Sequence, residues 1–407
     1  MPTRIRTLTA PALAALLSAV PLALGGPASA AATAATTTPT SPPPLTVLTT
    51  SHSAAPGEDY FLTPTGDTAT YANGPEIVDQ NGKVVWFHAV PQGETAADFK
   101  VQRYEGQQVL TWWQGTGLGG LSSGTDYIYN SHYQQIATVQ AGNGLTTDGH
   151  EFLITPWNTA IVVSFATATA NLTSIGGPSD QTVVNGVVQE VDIATGKVLW
   201  QWDSADHVPY SQSEQPLPAS ASTPWDWFHI NAVHFDTSGN LLIDARNTWT
   251  AYDVSPRSGR ILWQLGGKAS SFALRTTPGQ SLDDAGEIFA WQHDPEAVGN
   301  GDYTVFDDES SGTPEYSVSR VVTVHLDLRD HIATLVSSVD QPEGLVAASQ
   351  GNAQTTTPAG NLVVGWGSLP YVSEFSHSGR LLFNAEFPAG VNTYRAFEFP
   401  WPSGRLG

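Results

Sequence analysis

The sequence has no cysteine in its 407 residues. This absence excludes disulfide bonds, thiolate catalysis and zinc sites with cysteine ligands, so the stability of the fold must come from packing. Charged residues are scarce, at 13%, whereas glycine (38), proline (28) and tryptophan (13) are frequent. Long amphipathic helical patterns are absent as well. This composition is typical of a large all-β protein with many turns.

Positive charge is in short supply, with 16 Lys and Arg residues against 38 Asp and Glu residues. Without Arg4 and Arg6, which lie in an N-terminal targeting segment, 14 basic residues face 38 acidic ones and the net charge becomes −24. The negative electrostatic field of such a charge repels nucleic acid and anionic membranes, so we expect neither as a partner. An anionic substrate would have to be held by a local cluster of histidine, arginine and asparagine.

Residues 1–30 have the pattern of a secretory signal peptide. A positive start is followed by an apolar stretch from Ala12 to Leu24 and by the small-residue cleavage motif Ala28-Ser29-Ala30. The apolar stretch is too short to span a bilayer, and no later segment approaches eighteen apolar residues. The sequence therefore predicts a soluble protein that is secreted. Residues 31–44 read as a low-complexity Ala/Thr/Pro tether, and residues 45–407 as one globular domain.

Two sequence units recur through this domain. The first is a turn, usually ending in glycine, that leads into a hydrophobic strand with a period of about 60 residues. Its six copies span residues 78–90, 130–142, 191–203, 252–266, 325–338 and 375–387. The second is a turn followed by an apolar strand, at residues 155–165, 236–246, 299–308 and 357–367. Several short strands per period indicate propeller blades, so we predict an all-β, six-bladed β-propeller.

Three histidines, His150, His229 and His293, each precede a copy of the second unit. Because equivalent positions of propeller blades converge on the central channel, we expect the three side chains to lie close together. Asn231 shares a strand face with His229, and Arg246 ends the returning strand. A guanidinium beside imidazole and amide groups suits a tetrahedral oxyanion such as sulfate or phosphate. His234 has the opposite strand parity to His229, so we expect it to face away.

The residues alone leave several chemistries open. His229 and Arg246 could simply be structural residues, or the three histidines could bind a metal ion, although Arg246 would repel a dication. The run Asp307-Asp308-Glu309 fits either calcium or a solvated loop. No GxSxG motif supports a serine hydrolase, while the many carboxylates leave a glycosidase open. The remaining option is a histidine nucleophile that attacks sulfur or phosphorus without a cofactor.

Four segments resemble successive motifs of the arylsulfotransferase family. They are DGHEFLITP, FHINAVHFDTSGNLLIDARNT, QHDPEAVGNGDYTVFDD and GNAQTTTPAGNLVVGWG, within a resemblance that covers roughly residues 60–390. The chain is most similar to the shorter branch of the family that is common in actinobacteria. The resemblance implies a secreted bacterial six-bladed propeller that moves a sulfo group from an aryl sulfate to a phenol, without a nucleotide sulfate donor or another cofactor. The alternative is a non-catalytic propeller that binds a sulfated or aromatic ligand or a protein.

The resemblance also implies roles for individual residues. His293 would be the nucleophile that becomes transiently sulfated, and His150 and His229 would handle protons and sulfate. The implied substrate-binding residues are Asn231, Arg246, Thr355 and Thr356. Characterised members carry an N-terminal sandwich domain for dimerisation and a disulfide, and because this chain has neither, we expect a monomer. We further expect an aromatic wall around the phenol from Trp112, Trp113, Trp225 and Trp227.

Overall fold

The computed structural model describes residues 39–51, 58–118, 121–311, 314–356 and 359–401. The signal peptide predicted at residues 1–30 lies outside the described residues, as do residues 31–38 of the predicted tether. Residues 39–44 contain no helix or strand, and the backbone carbonyl of Ser41 accepts a hydrogen bond from the Ala72 amide. No helix among the described residues is long and apolar enough to cross a membrane.

The described strands form six separate sheets, and each sheet is one blade of a β-propeller. The predicted all-β, six-bladed architecture is therefore confirmed. In chain order the strands are β1 (Thr46–Thr50), β2 (Glu58–Thr65), β3 (Glu76–Val78), β4 (Val84–Phe87), β5 (Thr95–Tyr104), β6 (Gln107–Thr116), β7 (Ser123–Tyr129), β8 (Gln135–Val139), β9 (Phe152–Ile154), β10 (Thr159–Ala170), β11 (Gln181–Asp192), β12 (Val198–Asp203), β13 (Trp225–Asp226), β14 (Ile230–Phe235), β15 (Leu241–Ala245), β16 (Thr250–Val254), β17 (Ile261–Leu265), β18 (Ala273–Thr276), β19 (His293–Gly299), β20 (Asp302–Asp307), β21 (Arg320–Asp327), β22 (Ile332–Asp340), β23 (Asn352–Thr355), β24 (Leu362–Gly365), β25 (Tyr371–Phe375), β26 (Leu381–Glu386) and β27 (Asn392–Pro400).

Within a blade the strands pair antiparallel from the central channel outwards. The six blades, each starting from its inner strand, are β27-β2-β3-β4, β5-β6-β7-β8, β9-β10-β11-β12, β14-β15-β16-β17, β19-β20-β21-β22 and β23-β24-β25-β26. Strands β13 and β18 add parallel partners to β11 and β22. Four 3-10 turns, Thr173–Ile175, Ser204–Asp206, Tyr210–Gln212 and Arg246–Thr248, occupy connections.

The two ends of the described chain close the ring. The last strand, β27, is the inner strand of blade 1, while β1 is the outermost strand of blade 6. Blades 1 and 6 are thus each assembled from both ends of the domain. As a consequence, residues close to the C-terminus line the same channel as residues from the middle of the sequence.

The recurring sequence units correspond to fixed turns of the blade. All six copies of the first unit span the turn between the third and fourth strands, as between β11 and β12. Glycine is favoured there because the turn contains a residue in the left-handed region: Gly82, Gly196, Gly259 and Gly379 have φ between +69° and +78°, and Tyr133 and His331 have φ of +58° and +53° in the other two copies. The second unit is the turn between the first and second strands of blades 3 to 6. Blade 1 has no such turn because its inner strand comes from the end of the chain.

Hydrophobic side chains fill the spaces between neighbouring blades. One cluster joins Trp202 of blade 3 to Tyr252 of blade 4, and another joins Trp263 of blade 4 to Tyr303 of blade 5. Four tryptophans that we expected around a phenol, Trp112, Trp113, Trp225 and Trp227, are at most 4% exposed. The predicted aromatic wall is therefore wrong, because these side chains pack in the core and not on a ligand surface.

Candidate active site

Three histidines meet at one end of the central channel. His150 lies two residues before the start of β9, His229 immediately precedes β14, and His293 is the first residue of β19. The three therefore enter the channel at the same end of consecutive inner strands, as the blade argument predicted. The rings of His150 and His229 lie 4.9 Å apart. Tyr394 connects this pair to His293, with ring distances of 5.6 Å to His150 and 6.3 Å to His293.

Each histidine has an aspartate on its Nδ1 atom. His229 Nδ1 lies 2.5 Å from Asp226 Oδ2, and His293 Nδ1 lies 2.6 Å from Asp308 Oδ2. His150 Nδ1 contacts Asp148 Oδ1 in the same way, and Ser122 donates to the other oxygen of Asp148. An aspartate on Nδ1 fixes the ring orientation and leaves Nε2 for a substrate. The site thus contains three oriented imidazoles.

The protonation state of His293 follows from its surroundings. Burial and the nearby charge of Arg246 hold the pKa of His293 well below its ordinary value, so the ring is neutral. Burial also raises the pKa of Asp308, an effect that Arg246 opposes. The backbone amide of Gln350, which can only donate, lies 3.1 Å from His293 Nε2. Nε2 therefore carries the lone pair, and Nδ1 carries the proton that it donates to Asp308.

Although burial raises the pKa of Asp148, the charge and hydrogen bonds of His150 outweigh burial and hold that pKa below its ordinary value. Asp148 is therefore an anion beside His150. The aspartates of His150 and His293 therefore differ, because the pKa of Asp148 is lowered whereas that of Asp308 is raised.

Arg246 supplies positive charge beside the histidines. Its Nη1 donates to Asn247 Oδ1, and its Nη2 donates to the carbonyl oxygens of Ser310 and Ala348, 3.1 to 3.3 Å away. The guanidinium also stacks 4.9 Å over the ring of Trp291. Its Nε is buried and has no acceptor among the described residues. Arg246 is therefore held in place and still has a donor for an anion.

Asn231 is fully buried and joins two blades. Its Nδ2 donates to the backbone carbonyl of Gln292, 2.7 Å away, directly before His293. Its Oδ1 has no donor in the described part of the chain. The backbone around His293 is strained, because Trp291, two residues before it, and Asp294, directly after it, have φ of +57° and +52°. Non-glycine residues in this region cost about 1 kcal/mol or more and are concentrated at functional sites.

The structure does not bring Thr355 and Thr356 to the histidines. Thr355 ends β23 and Thr356 follows it, whereas the inner strands present their histidines at the opposite end. The Thr356 hydroxyl and amide both bond to the carbonyl of Asn361 in the next turn. Gln350, which lies just before β23, makes the contact with His293 instead. The segment GNAQTTTPAGNLVVGWG therefore reaches the site through the residue that precedes it.

A second set of charged side chains lies directly beneath the histidines. We call the first set the histidine layer (His150, His229, His293, Arg246 and Tyr394) and the second the charge layer (Asp98, Lys100, Glu151, His234, Asp294 and Arg395). Arg395 Nη1 lies 2.9 Å from both Asp98 Oδ1 and Glu151 Oε2, and its Nη2 donates to the carbonyl oxygen of Asn231. Lys100 contacts the same two carboxylates. The charge layer ties five blades together.

The expectation that His234 faces away from the channel is wrong. Its Nε2 lies 2.9 Å from Asp294 Oδ1 and 3.6 Å from Glu151 Oε2. The strand register shifts between Ile230 and Ala232, so simple alternation fails after Asn231. Although burial lowers it, the surrounding carboxylates raise the pKa of His234 to about 9.

The charge layer also contains an arrangement that could hold a metal ion. Ligand atoms of Glu151, His234 and Asp294 lie within 4.8 Å of one another. The Arg395 guanidinium, however, already occupies this space and bonds to Glu151. A dication would have to lie beside that positive charge, which is repulsive. The donor set therefore suits Arg395 better than a metal.

The run Asp307-Asp308-Glu309, for which we weighed calcium or a solvated loop, is buried. Asp308 holds His293, while Asp307 and Glu309 form ion pairs with Arg320. The solvated interpretation is therefore wrong. The run instead orients one histidine and anchors the strand that follows.

Residues 100–388 match the family model described as Arylsulfotransferase (ASST). The match covers well over half of the chain and includes all three histidines and Arg246. The chain belongs to the arylsulfotransferase family. Membership of this family indicates a sulfotransferase function and small-molecule aryl substrates. The matched region ends before β27, so Tyr394 and Arg395 lie outside it.

Several solved structures resemble this arylsulfotransferase-family protein at low sequence identity. A protein of unknown function from Bacteroides caccae is 12% identical, covers 84% of this chain and 98% of its own, and has a TM-score of 0.47. The allergen Mala s 1 of Malassezia sympodialis is 12% identical over 74% of this chain and 83% of its own, with a TM-score of 0.40. The β-propeller domain of Myceliophteria thermophila Cps50 (Swd1) is 12% identical over 84% and 89%, also with a TM-score of 0.40. No curated protein matches the sequence.

Sequence reasoning missed four residues of the site: Asp148, Asp226, Asp308 and Tyr394. The aspartates stand two residues before, three residues before and fifteen residues after their histidines. The aspartates therefore share no common spacing from their histidines that would identify them in the sequence, although Asp148 lies within the segment DGH and Asp308 within the segment FDD. Tyr394 gives no motif signal because it lies on the closing strand.

Proposed function

We propose that this protein is an arylsulfate sulfotransferase that works through a sulfohistidine at His293. One observation carries the proposal: His293 is a neutral imidazole whose Nδ1 donates to Asp308 and whose Nε2 keeps its lone pair. This is the tautomer that a nitrogen nucleophile requires. Family membership supports sulfur as the atom that is attacked.

In the first half of the reaction, Nε2 of His293 attacks the sulfur of an aryl sulfate. The N–S bond forms while the bond between sulfur and the aryl oxygen breaks, and the departing phenolate takes a proton from His150 or His229. The sulfated ring of His293 is cationic, and Asp308 on Nδ1 stabilises that charge. Two aspartates, Asp148 and Asp226, orient the rings of the proton donors through their Nδ1 atoms.

In the second half a phenol occupies the place of the first product. The histidine that lost its proton takes the phenol proton, the phenolic oxygen attacks sulfur, and the N–S bond breaks. His293 is then restored, and protons balance over the two halves without any change in oxidation state. The scheme is a ping-pong exchange that needs no cofactor.

The sulfo group carries negative charge, and Arg246 is the basic residue of the histidine layer that has a free donor. Its Nε atom suits one sulfo oxygen. The Gln350 amide competes with sulfur for the His293 lone pair, so the substrate must displace that hydrogen bond. Once displaced, the amide is close enough to donate to a second sulfo oxygen. Asn231 acts in this scheme mainly by fixing the backbone before His293.

The test is the exchange of a sulfo group between 4-nitrophenyl sulfate and phenol by the purified protein. We expect turnover that is insensitive to a chelator and that falls at least about 10³-fold in His293→Asn. The matched control is His325→Asn, because His325 also pairs with an aspartate, Asp302, but is exposed. Normal turnover in His293→Asn would contradict the assignment. Saturable binding of the aryl sulfate without release of nitrophenol would support the non-catalytic alternative.

We also infer that the protein is secreted and acts as a monomer. The pattern of residues 1–30 supports secretion, and the absence of cysteine, which excludes a disulfide between two copies, agrees with the monomer. Sequencing the mature N-terminus from the culture medium and measuring the mass in solution test the two statements. A protein that stays inside the cell with residues 1–30 uncleaved would contradict secretion, and a dimer at low protein concentration would contradict the monomer.

A further inference from the structure

Tyr394 lies in the histidine layer, and no motif of the sequence analysis includes it. We propose that Tyr394 is a further catalytic residue, whose hydroxyl donates a hydrogen bond to the aryl ester oxygen as the bond to sulfur breaks. The proposal rests on the sulfotransferase function proposed above. The hydrogen bond from Tyr394 would be a second contact to the leaving group, which otherwise receives only a proton from a histidine of the histidine layer.

The ring of Tyr394 is held among the histidines. It is 1% exposed and lies edge-on to His150, at 5.6 Å and 83°, and to His293, at 6.3 Å and 72°. The next residue, Arg395, is locked into the charge layer by its bonds to Asp98 and Glu151. The ring therefore has a fixed position between the proposed nucleophile and one of the proposed proton donors.

The hydroxyl of Tyr394 is buried and has no hydrogen-bond partner among the residues that the structure describes. Two other buried tyrosines of the propeller are satisfied, because Tyr60 donates to Glu374 and Tyr252 donates to Thr248. An unpartnered buried hydroxyl is costly, so a natural protein that keeps one usually needs it for something else. In a site that binds a sulfate ester, a missing acceptor is what a substrate oxygen would supply.

The chemistry selects which oxygen that is. Burial and the nearby carboxylates of Asp148 and Asp308 raise the pKa of Tyr394 well above its ordinary value, so its hydroxyl stays protonated and acts as a neutral donor. The sulfo oxygens already have Arg246 and the Gln350 amide. The ester oxygen gains negative charge only as its bond to sulfur breaks, so a fixed donor there stabilises the transition state more than the ground state. The proton that finally reaches this oxygen comes from a histidine, and Tyr394 keeps its own.

The experiment compares Tyr394→Phe with the parent protein on a series of aryl sulfates whose phenols differ in acidity. Because kcat/KM reports the first half of a ping-pong reaction, it reports the cleavage of the ester bond. We expect Tyr394→Phe to lose about 100-fold with phenyl sulfate and about 10-fold or less with 4-nitrophenyl sulfate, since a more acidic leaving group needs less stabilisation. Its unfolding temperature should stay the same or rise, because the variant removes an unsatisfied hydroxyl.

The matched control is Tyr60→Phe, which removes a satisfied hydroxyl far from the histidines. We expect it to lower the unfolding temperature and to keep the dependence on leaving-group acidity of the parent. If the parent exchanges sulfo groups, the proposal is overturned when Tyr394→Phe loses kcat/KM equally with phenyl sulfate and 4-nitrophenyl sulfate, or does not lose it at all. If the parent releases no phenol from any aryl sulfate, the proposed function itself fails, and the two failures are thereby distinguished.

Discussion

The histidine layer and the charge layer are built from the same inner strands, yet they differ in how completely their polar side-chain atoms are paired. Neighbouring residues alternate between them: His150 with Glu151, His293 with Asp294, and Tyr394 with Arg395. In the charge layer, all six oxygens of the three carboxylates have hydrogen-bond partners. Among the described residues, the Nε atoms of Arg246 in the histidine layer and of Arg395 in the charge layer both lack an acceptor, but the histidine layer also contains the unpartnered hydroxyl of Tyr394.

The difference assigns separate tasks to the two layers. Arg395 holds three carboxylates and the carbonyl of Asn231, so the charge layer fixes the strands on which the histidines stand. The histidine layer leaves donors unsatisfied at a cost in stability that a bound ligand would remove. Changes in the charge layer should therefore act on folding, and changes in the histidine layer on turnover.

The largest expected effect is on turnover, from Asp308→Asn. The amide of the new asparagine would donate to Nδ1 of His293, which shifts the ring proton to Nε2 and removes the attacking lone pair. We expect turnover of 4-nitrophenyl sulfate to fall about 10³- to 10⁴-fold with little change in stability. Asp302→Asn, which alters the exposed partner of His325, is the control and should leave turnover unchanged. A rate near that of the parent would show that the tautomer of His293 does not matter.

The second prediction compares the effects of replacing Arg395 and Arg246 on stability and turnover. Arg395→Met leaves buried carboxylates with Lys100 and His234 as their remaining cations, so we expect the free energy of unfolding to fall by about 3–5 kcal/mol. Arg246→Met removes the donors that face the substrate in our proposal, and we expect kcat/KM to fall about 10²- to 10³-fold with a smaller loss of stability. Denaturant unfolding and steady-state kinetics on both variants measure this contrast. Similar profiles for the two variants would contradict the division of tasks.

The smallest expected effect concerns Glu76, a buried carboxyl in β3 whose two oxygens have no partner among the described residues. Burial raises the pKa of Glu76 from 4.5 to about 8. Its folded pKa lies above the unfolded value, so its contribution to stability is present below pH 4.5 and is lost as the pH rises through 8. Glu76→Gln should remove this loss and stabilise the protein at pH 9 by about 1–3 kcal/mol.

Glu151, in the charge layer, should behave in the opposite direction. Although burial raises its pKa, Arg395 and Lys100 hold it far below its ordinary value. Its contribution is therefore present above pH 4.5 and is lost as the pH falls. Unfolding measured from about pH 2 to pH 9 tests both signs. A stability in Glu76→Gln that still declines between pH 5 and pH 8 as in the parent would contradict the assignment of this loss to Glu76.

The architecture could be predicted because every blade repeats the same turn. A glycine in the left-handed region between two apolar strands leaves a mark in the sequence at four of the blades, as at Gly196 and Gly259, while Tyr133 and His331 take this place in blades 2 and 5. The second unit marked only four blades: blade 1 takes its inner strand from β27, and the turn of blade 2 between β5 and β6 was not recognised. That closure joins distant parts of the chain and has no local signal.

The site was predictable where it follows the blade repeat and not where it departs from it. His150, His229 and His293 occupy equivalent positions, so their convergence followed from the fold. The parity argument failed for His234, because the bulge after Ile230 shifts the strand by one residue. The aspartates on Nδ1 depend on side-chain geometry across loops and not on spacing. Thr355 and Thr356 belong to the right motif but lie at the opposite end of its strand.

The most direct test of the account is to mix the protein with 4-nitrophenyl sulfate in the absence of a phenol and to measure its intact mass. We predict that the protein gains the mass of one sulfo group, that peptide mapping places it on His293, and that added phenol removes it. Release of nitrophenol together with a sulfo group on another residue would contradict the assignment of His293 as nucleophile. No gain in mass and no nitrophenol would contradict the sulfotransferase mechanism itself.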